Sequence, residues 1–150
     1  MSEDCRILPI TDERREVALP GWLARAEGVH RQLRPQLPAD YPAKMRLVFA
    51  QGGEMCVAAL GEEVAGLAVY RVFENTHVGA RFYVDDLVTD EKRRSGGIGK
   101  ALVAWLEAQA RSRGCPGLDL ESGTHRSGAH RFYFREGFVI PSFSFRKDLS

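Results

Sequence analysis

Residues 93–100 read Arg93-Arg94-Ser95-Gly96-Gly97-Ile98-Gly99-Lys100, and this stretch decides the fold. The apolar run before it predicts a strand, and the apolar spacing after it predicts a helix. Glycines let the backbone turn tightly and let a ligand approach it closely. The first N–H groups of a helix have no partners within the helix, and the helix dipole favours anions there. The stretch therefore indicates a binding site for a phosphate or pyrophosphate, the alternative being an ordinary glycine-rich loop with solvated arginines.

The composition is that of an ordinary globular domain. The chain has 150 residues, 44% of them hydrophobic and 27% charged, which predicts a single domain over 1–150. Its net charge of +1 argues against general nucleic-acid binding, because phosphate backbones require a large basic excess. The widely spaced Cys5, Cys56 and Cys115 fit neither a disulfide framework nor a zinc site, so they indicate reduced thiols in the cytoplasm. No signal peptide and no membrane span is expected.

The first third of the chain is predicted to be mostly helical after one strand. Thr11 or Asp12 could cap a first helix, and Pro20-Gly21 would stop it. Prolines break up the segment over residues 35–42, which is a candidate for a substrate-facing lid. The predicted elements are a strand over 5–10, helices over 11–19, 22–34 and 44–51, and the loop over 35–42.

The rest of the chain is predicted to form a meander followed by a crossover. Three apolar runs joined by short turns usually pair antiparallel. The helix after the glycine turn ends at Arg113-Gly114 and leads to another strand, so the strands on either side of it should be parallel. Ser127 is the predicted cap of the last helix. The predicted elements are strands over 55–60, 64–73 and 81–89, a helix over 98–113, a strand over 117–121, a helix over 127–136, and strands over 138–140 and 142–145.

With this order of elements, the motif Arg94-Ser95-Gly96-Gly97-Ile98-Gly99 resembles the GNAT superfamily of N-acetyltransferases. A second motif, Ala129-His130-Arg131-Phe132-Tyr133-Phe134-Arg135-Glu136-Gly137-Phe138, is similar to the short helix that ends in Gly-Phe in that superfamily. The match is strongest over residues 82–138, and residues 130–147 are also similar to the aminoalkylphosphonate N-acetyltransferases. The expected fold class is therefore α+β (mixed α/β): a GNAT-like acyl-CoA N-acyltransferase fold, whose central mixed sheet is splayed at its middle and flanked by helices.

The resemblance implies transfer of an acetyl group from acetyl-CoA, the co-substrate, to a primary amine of a small molecule. In this superfamily the amides of the glycine turn hold the CoA pyrophosphate, and pantetheine pairs with the bulged strand before it. Strand-edge backbone suits pantetheine because its two amides mimic a peptide strand. The residues expected to bind acetyl-CoA are Leu87, Val88, Thr89, Arg94, Ser95, Gly96, Gly97, Ile98, Gly99, Lys100 and Ser127.

The chemistry requires a base, because an ammonium cannot attack a thioester. Asp85 and Asp86 are neighbours on a strand, so their side chains point to opposite faces, and Glu121 ends the parallel strand. Asp85 or Glu121 is favoured over Asp86, and the alternative for each is a solvated or salt-bridged carboxylate. Tyr133 matches the tyrosine that protonates the CoA thiolate in much of the superfamily, and its alternative is a core aromatic. A bulge amide near residues 87–88 is the expected oxyanion donor.

Competing folds fit the glycine turn less well. A dinucleotide-binding motif would require glycine where Leu102 stands, and a P-loop would require Ser or Thr where Ala101 stands. The alternative functions are a non-catalytic acyl-CoA-binding or regulatory module on the same fold, and acetylation of a protein amine.

The acceptor side is less defined by the sequence. Arg71, Arg81 and Arg126 could bind a phosphonate or carboxylate, or could be surface charges. His77 and His125 are interpreted as surface histidines. No metal site is predicted, since the histidines and acids lack ligand spacing. A homodimer is compatible with the sequence.

Overall fold

The computed structural model describes residues 4–150 and contains a five-stranded mixed sheet flanked by helices. The strands are β1 (Cys5–Pro9), β2 (Glu54–Leu60), β3 (Glu63–Asn75), β4 (Gly79–Thr89) and β5 (Leu118–Leu120). Their order across the sheet follows the chain order, and the first three neighbouring pairs are antiparallel. The predicted α+β class with a mixed sheet is confirmed.

Four α-helices accompany the sheet, and a short 3-10 helix (Glu91–Arg93) follows β4. The α-helices are α1 (Pro20–Leu33), α2 (Tyr41–Ala50), α3 (Ile98–Ser112) and α4 (Ser127–Arg135). Contacts divide the chain after Asp119 into two compact units, the second being Leu120–Ser150 with α4. None of the helices within residues 4–150 is long and apolar enough to cross a membrane.

The central strand β3 packs on both of its faces. Successive side chains of a strand point to opposite faces. Leu67 and Val69 belong to the core cluster that contains residues of α1 and α2, whereas the Tyr70 ring contacts that of Trp105 on α3, with centroids 6.0 Å apart. Because both faces are covered, every residue over 64–70 is buried, which explains the nearly continuous apolar run.

A glycine allows α3 to lie close to β3. A Cβ built on Gly66 would lie 2.9 Å from Ile98 Cγ2 and 2.9 Å from the Val88 carbonyl oxygen. Both distances are shorter than real Cβ contacts, so glycine fixes how closely the start of α3 approaches the sheet.

The predicted helix over residues 11–19 is wrong. Thr11 forms an isolated antiparallel bridge with Val17, and Asp12 Oδ1 accepts hydrogen bonds from the N–H groups two and four residues later, at 2.8 and 3.0 Å. An aspartate that bonds to the backbone just after it favours a turn, so this segment turns instead of forming a helix. Pro20 begins α1 instead of ending a helix, since proline suits the first turn.

Two further helix starts differ from the prediction. Pro42 lies in the first turn of α2, where Asp40 caps the helix by accepting a hydrogen bond from the Ala43 N–H at 3.1 Å. Ser127 is the first residue of α4 and does not cap it, because the cap position is Arg126 and no side chain makes a capping bond.

The strands predicted over residues 138–140 and 142–145 are not formed. Residues 138–150 contain neither helix nor strand, and most of their side chains are exposed. A strand needs a neighbour for its backbone hydrogen bonds, and the part of the chain that the structure describes provides none for this tail.

Candidate active site

The turn before α3 presents its backbone to solvent. Residues 94–97 are exposed, and Ser95 and Gly97 have left-handed φ angles of 66° and 83°. Gly97 occupies the cap position of α3 without a side-chain capping bond. Within residues 4–150, no protein acceptor receives a hydrogen bond from the N–H groups of residues 94–100. These amides and the start of α3 can therefore accept an anion.

Hydrogen bonds hold the segment that leads into this turn. The Asp90 N–H donates to the Ala65 carbonyl at 2.8 Å, which continues the pairing with β3. On the other side, Gln32 of α1 donates to Asp90 Oδ1 at 3.1 Å and accepts from the Glu91 N–H at 3.0 Å. The position of the turn is thus fixed by both β3 and α1.

The three cations of the turn have different roles. Arg93 forms an ion pair with Glu63 at the start of β3, so its charge is largely compensated. Arg94 and Lys100 are exposed, and neither has an ion-pair partner in the described range of residues. Two positive charges therefore remain available beside the free amides, which favours a ligand with more than one negative charge.

A bulge in β4 lies just before this segment. Val69 pairs with Asp86 and Tyr70 with Val84, which leaves Asp85 as an extra residue on β4. A bulge bends the strand and increases its twist. The three residues of β5 can pair with only a short part of the eleven-residue β4, so much of that edge of β4 has no strand beside it within residues 4–150.

The three residues expected to contact pantetheine follow the bulge. Leu87, Val88 and Thr89 pair with β3 on one side, opposite Ala68, Leu67 and Gly66. Val88 is buried, whereas Leu87 and Thr89 are half-buried. Backbone in this position suits a ligand that carries amides.

The two neighbouring aspartates of β4 bind different partners. Asp85 accepts two hydrogen bonds from Arg71 of β3, at 3.0 and 2.6 Å. Asp86 faces α1, where His30 Nε2 lies 2.7 Å from Oδ2 and Arg34 Nε donates to Oδ1 at 2.8 Å. Both carboxylates are thus engaged by cations or imidazole.

The network around Asp86 was not predicted from the sequence. His30 is 1% exposed, and its Nδ1 lies 2.8 Å from the Tyr41 hydroxyl. Because a carboxylate only accepts, Nε2 donates to Asp86. Burial by itself would raise the pKa of Asp86, but the bonds and charges of His30 and Arg34 outweigh it and hold that pKa below its usual value.

A signal for His30 is present in the sequence. His30 follows Leu23 by seven residues and Ala26 by four, which places it on the apolar face of α1. A buried histidine must satisfy both ring nitrogens, so this spacing indicates a hydrogen-bonded core histidine.

Tyr133 lies on α4, in the second compact unit. It is 9% exposed and packs edge-on against Phe132 and Phe138, with ring centroids 5.7 Å away in each case. Burial raises the pKa of its hydroxyl, and a hydrogen bond with Arg126 together with that residue's charge partly opposes the rise. The hydroxyl therefore keeps its proton at neutral pH, whether its role is packing or proton donation.

The remaining candidates are exposed or already paired. Glu121 and Ser127 are exposed, as are His77 and His125. Each arginine considered for an anionic acceptor has a partner: Arg71 with Asp85, Arg81 with Asp119, and Arg126 with Tyr133. No group of three or more His, Cys, Asp or Glu residues that could hold a metal occurs in residues 4–150.

A cavity of about 490 Å³ lies in the first unit toward the other end of α3. Its lining includes Tyr70, Trp105 and Arg113 and none of the residues predicted for the site. The bulge, the end of β4 and the turn therefore lie outside this cavity.

The sequence was compared with known families and proteins. The family described as acetyltransferase (GNAT) family matches residues 22–138. An uncharacterized N-acetyltransferase, YhdJ, of Bacillus subtilis (strain 168) is 43% identical over 72 residues, which are 47% of this chain and 51% of that protein. The aminoalkylphosphonate N-acetyltransferase of Salmonella typhimurium (strain LT2) is 35% identical over 89 residues, or 59% of this chain and 58% of that protein. The matches thus span about half the length of these curated relatives.

Solved structures have the same fold. The aminoglycoside N-acetyltransferase AAC(6')-Iy in complex with CoA superposes with a TM-score of 0.80 at 15% identity, covering 99% of this chain and 98% of that one. A transcriptional regulator from Bacillus halodurans C-125 gives a TM-score of 0.73 at 25% identity, covering 97% and 100% of the two chains.

Proposed function

Because the chain belongs to the acetyltransferase (GNAT) family, we propose that it transfers an acetyl group from acetyl-CoA to the primary amine of a small molecule. The main support for this proposal is the structure of the turn over residues 94–100. Its N–H groups have no protein acceptor in the described residues, two cations beside them are unpaired, and α3 begins there. A pyrophosphate is the ligand that such a site holds best.

The path of the co-substrate follows from this anchor. With the pyrophosphate of CoA at the turn, pantetheine extends along the backbone of residues 87–89 toward the bulge, and the thioester lies near Asp85. An N–H of the bulged segment is then positioned to stabilise the oxyanion that forms when the amine attacks. Holding both reactants in one geometry supplies much of the catalysis.

We assign the base to Glu121, acting directly or through a water molecule. Both oxygens of Asp85 bind Arg71, so Asp85 would have to release that guanidinium before it could take a proton. Asp86 is likewise held by His30 and Arg34. Glu121 is exposed and has no ion-pair partner within residues 4–150.

The general acid in this proposal is Tyr133. Glu121 first takes a proton from the ammonium, directly or through water, and the free amine attacks the thioester carbon. The intermediate collapses with cleavage of the C–S bond, and the leaving thiolate of CoA takes the Tyr133 hydroxyl proton. The surplus proton on the new amide nitrogen then passes, directly or through water, to the Tyr133 oxygen and restores the hydroxyl. The raised pKa of Tyr133 keeps the hydroxyl protonated at neutral pH, so its proton is present when the C–S bond breaks.

The acceptor amine is proposed to be neutral or cationic apart from its reacting group. An anionic acceptor would have to displace a carboxylate or the Tyr133 hydroxyl from Arg71, Arg81 or Arg126. The chain is similar to an aminoalkylphosphonate N-acetyltransferase over 89 residues, so aminoalkylphosphonates belong in the same test as aminoglycosides, amino acids and simple amines.

The test measures release of free thiol from acetyl-CoA with and without each amine. Thiol release that depends on an amine supports the proposal, whereas CoA binding without it would identify an acyl-CoA-binding module. Tyr133→Phe should lower kcat by roughly 10²–10⁴-fold with the Kd of CoA largely kept. Glu121→Gln should lower kcat most at low pH, where less free amine is present, whereas Asp85→Asn should leave that pH profile unchanged in shape.

A further inference from the structure

The cavity of the first compact unit is a second candidate binding site, and it shares no residue with the glycine turn over residues 94–100 or with the bulge. Its volume of about 490 Å³ falls in the range of about 300–1,000 Å³ that is typical of small-molecule sites. The lining comes from the turn after β1, from β2 and β3, and from the second half of α3. The chemistry of these residues indicates which ligand the cavity fits.

Two aromatic residues of the lining are held in place by their neighbours. The Tyr70 ring stacks on Phe82, with centroids 5.1 Å apart and 10° between the planes, and it meets Trp105 edge-on. Tyr70 is buried, whereas Trp105 is half-buried, so part of the indole is uncovered. Within residues 4–150 the Trp105 Nε1–H has no hydrogen-bond acceptor. A tryptophan in this position offers a flat apolar surface, and its ring face attracts cations.

The polar side chains that α3 contributes carry no net charge together with their partners. Gln109 follows Trp105 by one helical turn, and its amide makes no side-chain hydrogen bond in the part of the chain that the structure describes. Arg113, one turn further, donates to both carboxylate oxygens of Glu54, at 2.7 and 2.9 Å. The Glu54 side chain is only 14% exposed, so this pair is fixed and its charges cancel. The Gln109 amide therefore remains available to donate to a ligand or accept from it.

The turn after β1 supplies the uncompensated charges of the cavity. Its lining residues Asp12, Glu13 and Arg14 are exposed, and none of the three has an ion-pair partner among the described residues. Asp12 Oδ1 accepts hydrogen bonds from the N–H groups two and four residues later, so the turn is already fixed when a ligand arrives. Two carboxylates beside one guanidinium leave an excess of negative charge, which favours a cation.

We propose that this cavity binds a small organic cation with a flat apolar body, at a site separate from that of acetyl-CoA. The apolar body lies against the indole of Trp105, and the ammonium lies beside Asp12 and Glu13. Such a cation gains apolar, cation–π and ionic contacts together, whereas a neutral analogue of the same shape loses the ionic part. Because the cavity shares no residue with the glycine turn, both ligands can be bound at once, and the inference does not rest on the proposed acetyl transfer.

The first experiment titrates the unaltered chain with phenethylamine and follows the indole N–H groups by NMR. The chain has two tryptophans, so Trp22 provides an internal control, and Trp22→Phe assigns the two signals. The Trp105 signal should shift and saturate with a Kd at or below about 1 mM, while the Trp22 signal stays in place. Phenethyl alcohol, which lacks the charge, should bind at least about 2-fold more weakly. Saturating CoA should leave the Kd of phenethylamine unchanged.

The second experiment compares two carboxylates of the same turn at about 0.15 M salt, where only nearby charges act on the ligand. Glu13→Gln should raise the Kd of phenethylamine by about 2–5-fold. The matched control is Glu16→Gln, which removes an exposed carboxylate outside the lining and should leave the Kd unchanged.

Several results would overturn the proposal. A Trp105 signal that does not shift, or one that shifts equally with Trp22, would show that the cavity does not bind the cation. Equal affinity for phenethyl alcohol would remove the ionic contact from the proposal. Displacement of phenethylamine by CoA, or equal effects of Glu13→Gln and Glu16→Gln, would show that the cation binds elsewhere.

Discussion

Replacing Asp86 by asparagine should destabilise the protein far more than the same change at Asp85. The two residues are adjacent on β4, and each binds an arginine, but their surroundings differ. The Asp86 carboxylate is 14% exposed and contacts a histidine side chain that is 2% exposed. The Asp85 carboxylate is 22% exposed, and the Arg71 side chain that binds it is 46% exposed. This pair of substitutions therefore compares a buried network with a surface ion pair in the same strand.

The magnitude follows from what each change leaves behind. Removing one partner of a buried charged pair typically costs about 3–5 kcal/mol. Two features of this site reduce that figure: Arg34 is 42% exposed, so water can solvate it, and the asparagine oxygen can still accept the hydrogen bond from His30. We expect Asp86→Asn to lower the free energy of unfolding by about 2–3 kcal/mol, and Asp85→Asn to lower it by less than about 1 kcal/mol.

The assay is urea unfolding followed by tryptophan fluorescence, repeated at several pH values. The folded-state pKa of Asp86 lies below its unfolded value of about 3.9. The ionised carboxylate therefore contributes its full stabilisation at pH values above the unfolded-state pKa. It is lost as the pH falls through the folded-state pKa. The stability difference between the wild type and Asp86→Asn should therefore be constant between about pH 5 and 8 and shrink below about pH 4.

Either of two results would refute this reasoning. If Asp85→Asn lowered the free energy of unfolding as much as Asp86→Asn, burial would not explain how strongly the Asp86 network stabilises the protein. If the difference between the wild type and Asp86→Asn stayed the same down to the lowest pH at which the protein folds, the ionised carboxylate would not be the group responsible. His30→Phe provides a separate check, because it removes the buried partner and keeps Arg34.

Three further substitutions test the packing of α3 and the turn before it. In the same urea assay, Gly66→Ala should lower the free energy of unfolding by about 1–3 kcal/mol, because its Cβ would lie 2.9 Å from the Val88 carbonyl oxygen. The matched control is Gly28→Ala on α1, where a Cβ would meet open space. That substitution should raise the free energy of unfolding by up to about 1 kcal/mol. Gly97→Ala places a side chain on a residue with a φ of 83° and should lower the free energy of unfolding by about 1–2 kcal/mol. Calorimetry should also show weaker CoA binding to this variant. An unchanged affinity would show that the turn does not bind CoA. Ser95→Gly relieves a φ of 66° and should stabilise the chain slightly or leave it unchanged, so a clear loss in thermal unfolding would contradict this view of the turn.

The sequence predicted those elements whose patterns are produced by local structure. The strands over 55–60, 64–73 and 81–89 and the helix after the glycine turn have bounds within about two residues of the prediction, because alternation and helical spacing follow from which face is buried. The segment after Asp12 was predicted wrongly because the same acidic side chain can cap a helix or close a turn. The tail over residues 142–145 was also predicted wrongly. Its alternation is typical of a strand, but a strand forms only where another strand is available to pair with it.

The candidate site was only partly predictable, because some of its features are local in the sequence and others join distant residues. The glycine turn is a local motif, and its position in front of a helix can be recognised from eight residues. The network of Asp86 joins residues 56 positions apart in the chain, and no periodicity indicates which helix will face which strand. Such contacts depend on tertiary packing, so neither the pairing of Asp85 with Arg71 nor that of Asp86 with His30 could be chosen beforehand.

The long-range contacts that the sequence did not predict also support the proposed site. His30 and Arg34 lie one helical turn apart at the end of α1 and hold Asp86 at the bulge. Gln32, between them, bonds to both Asp90 and the Glu91 N–H. The same end of α1 therefore fixes the segment over residues 86–91 at its two ends. In the proposed function these ends flank the thioester and the pyrophosphate. Under that proposal, α1 fixes the backbone along which the co-substrate binds before it arrives, and such preorganisation favours acyl transfer between two bound reactants.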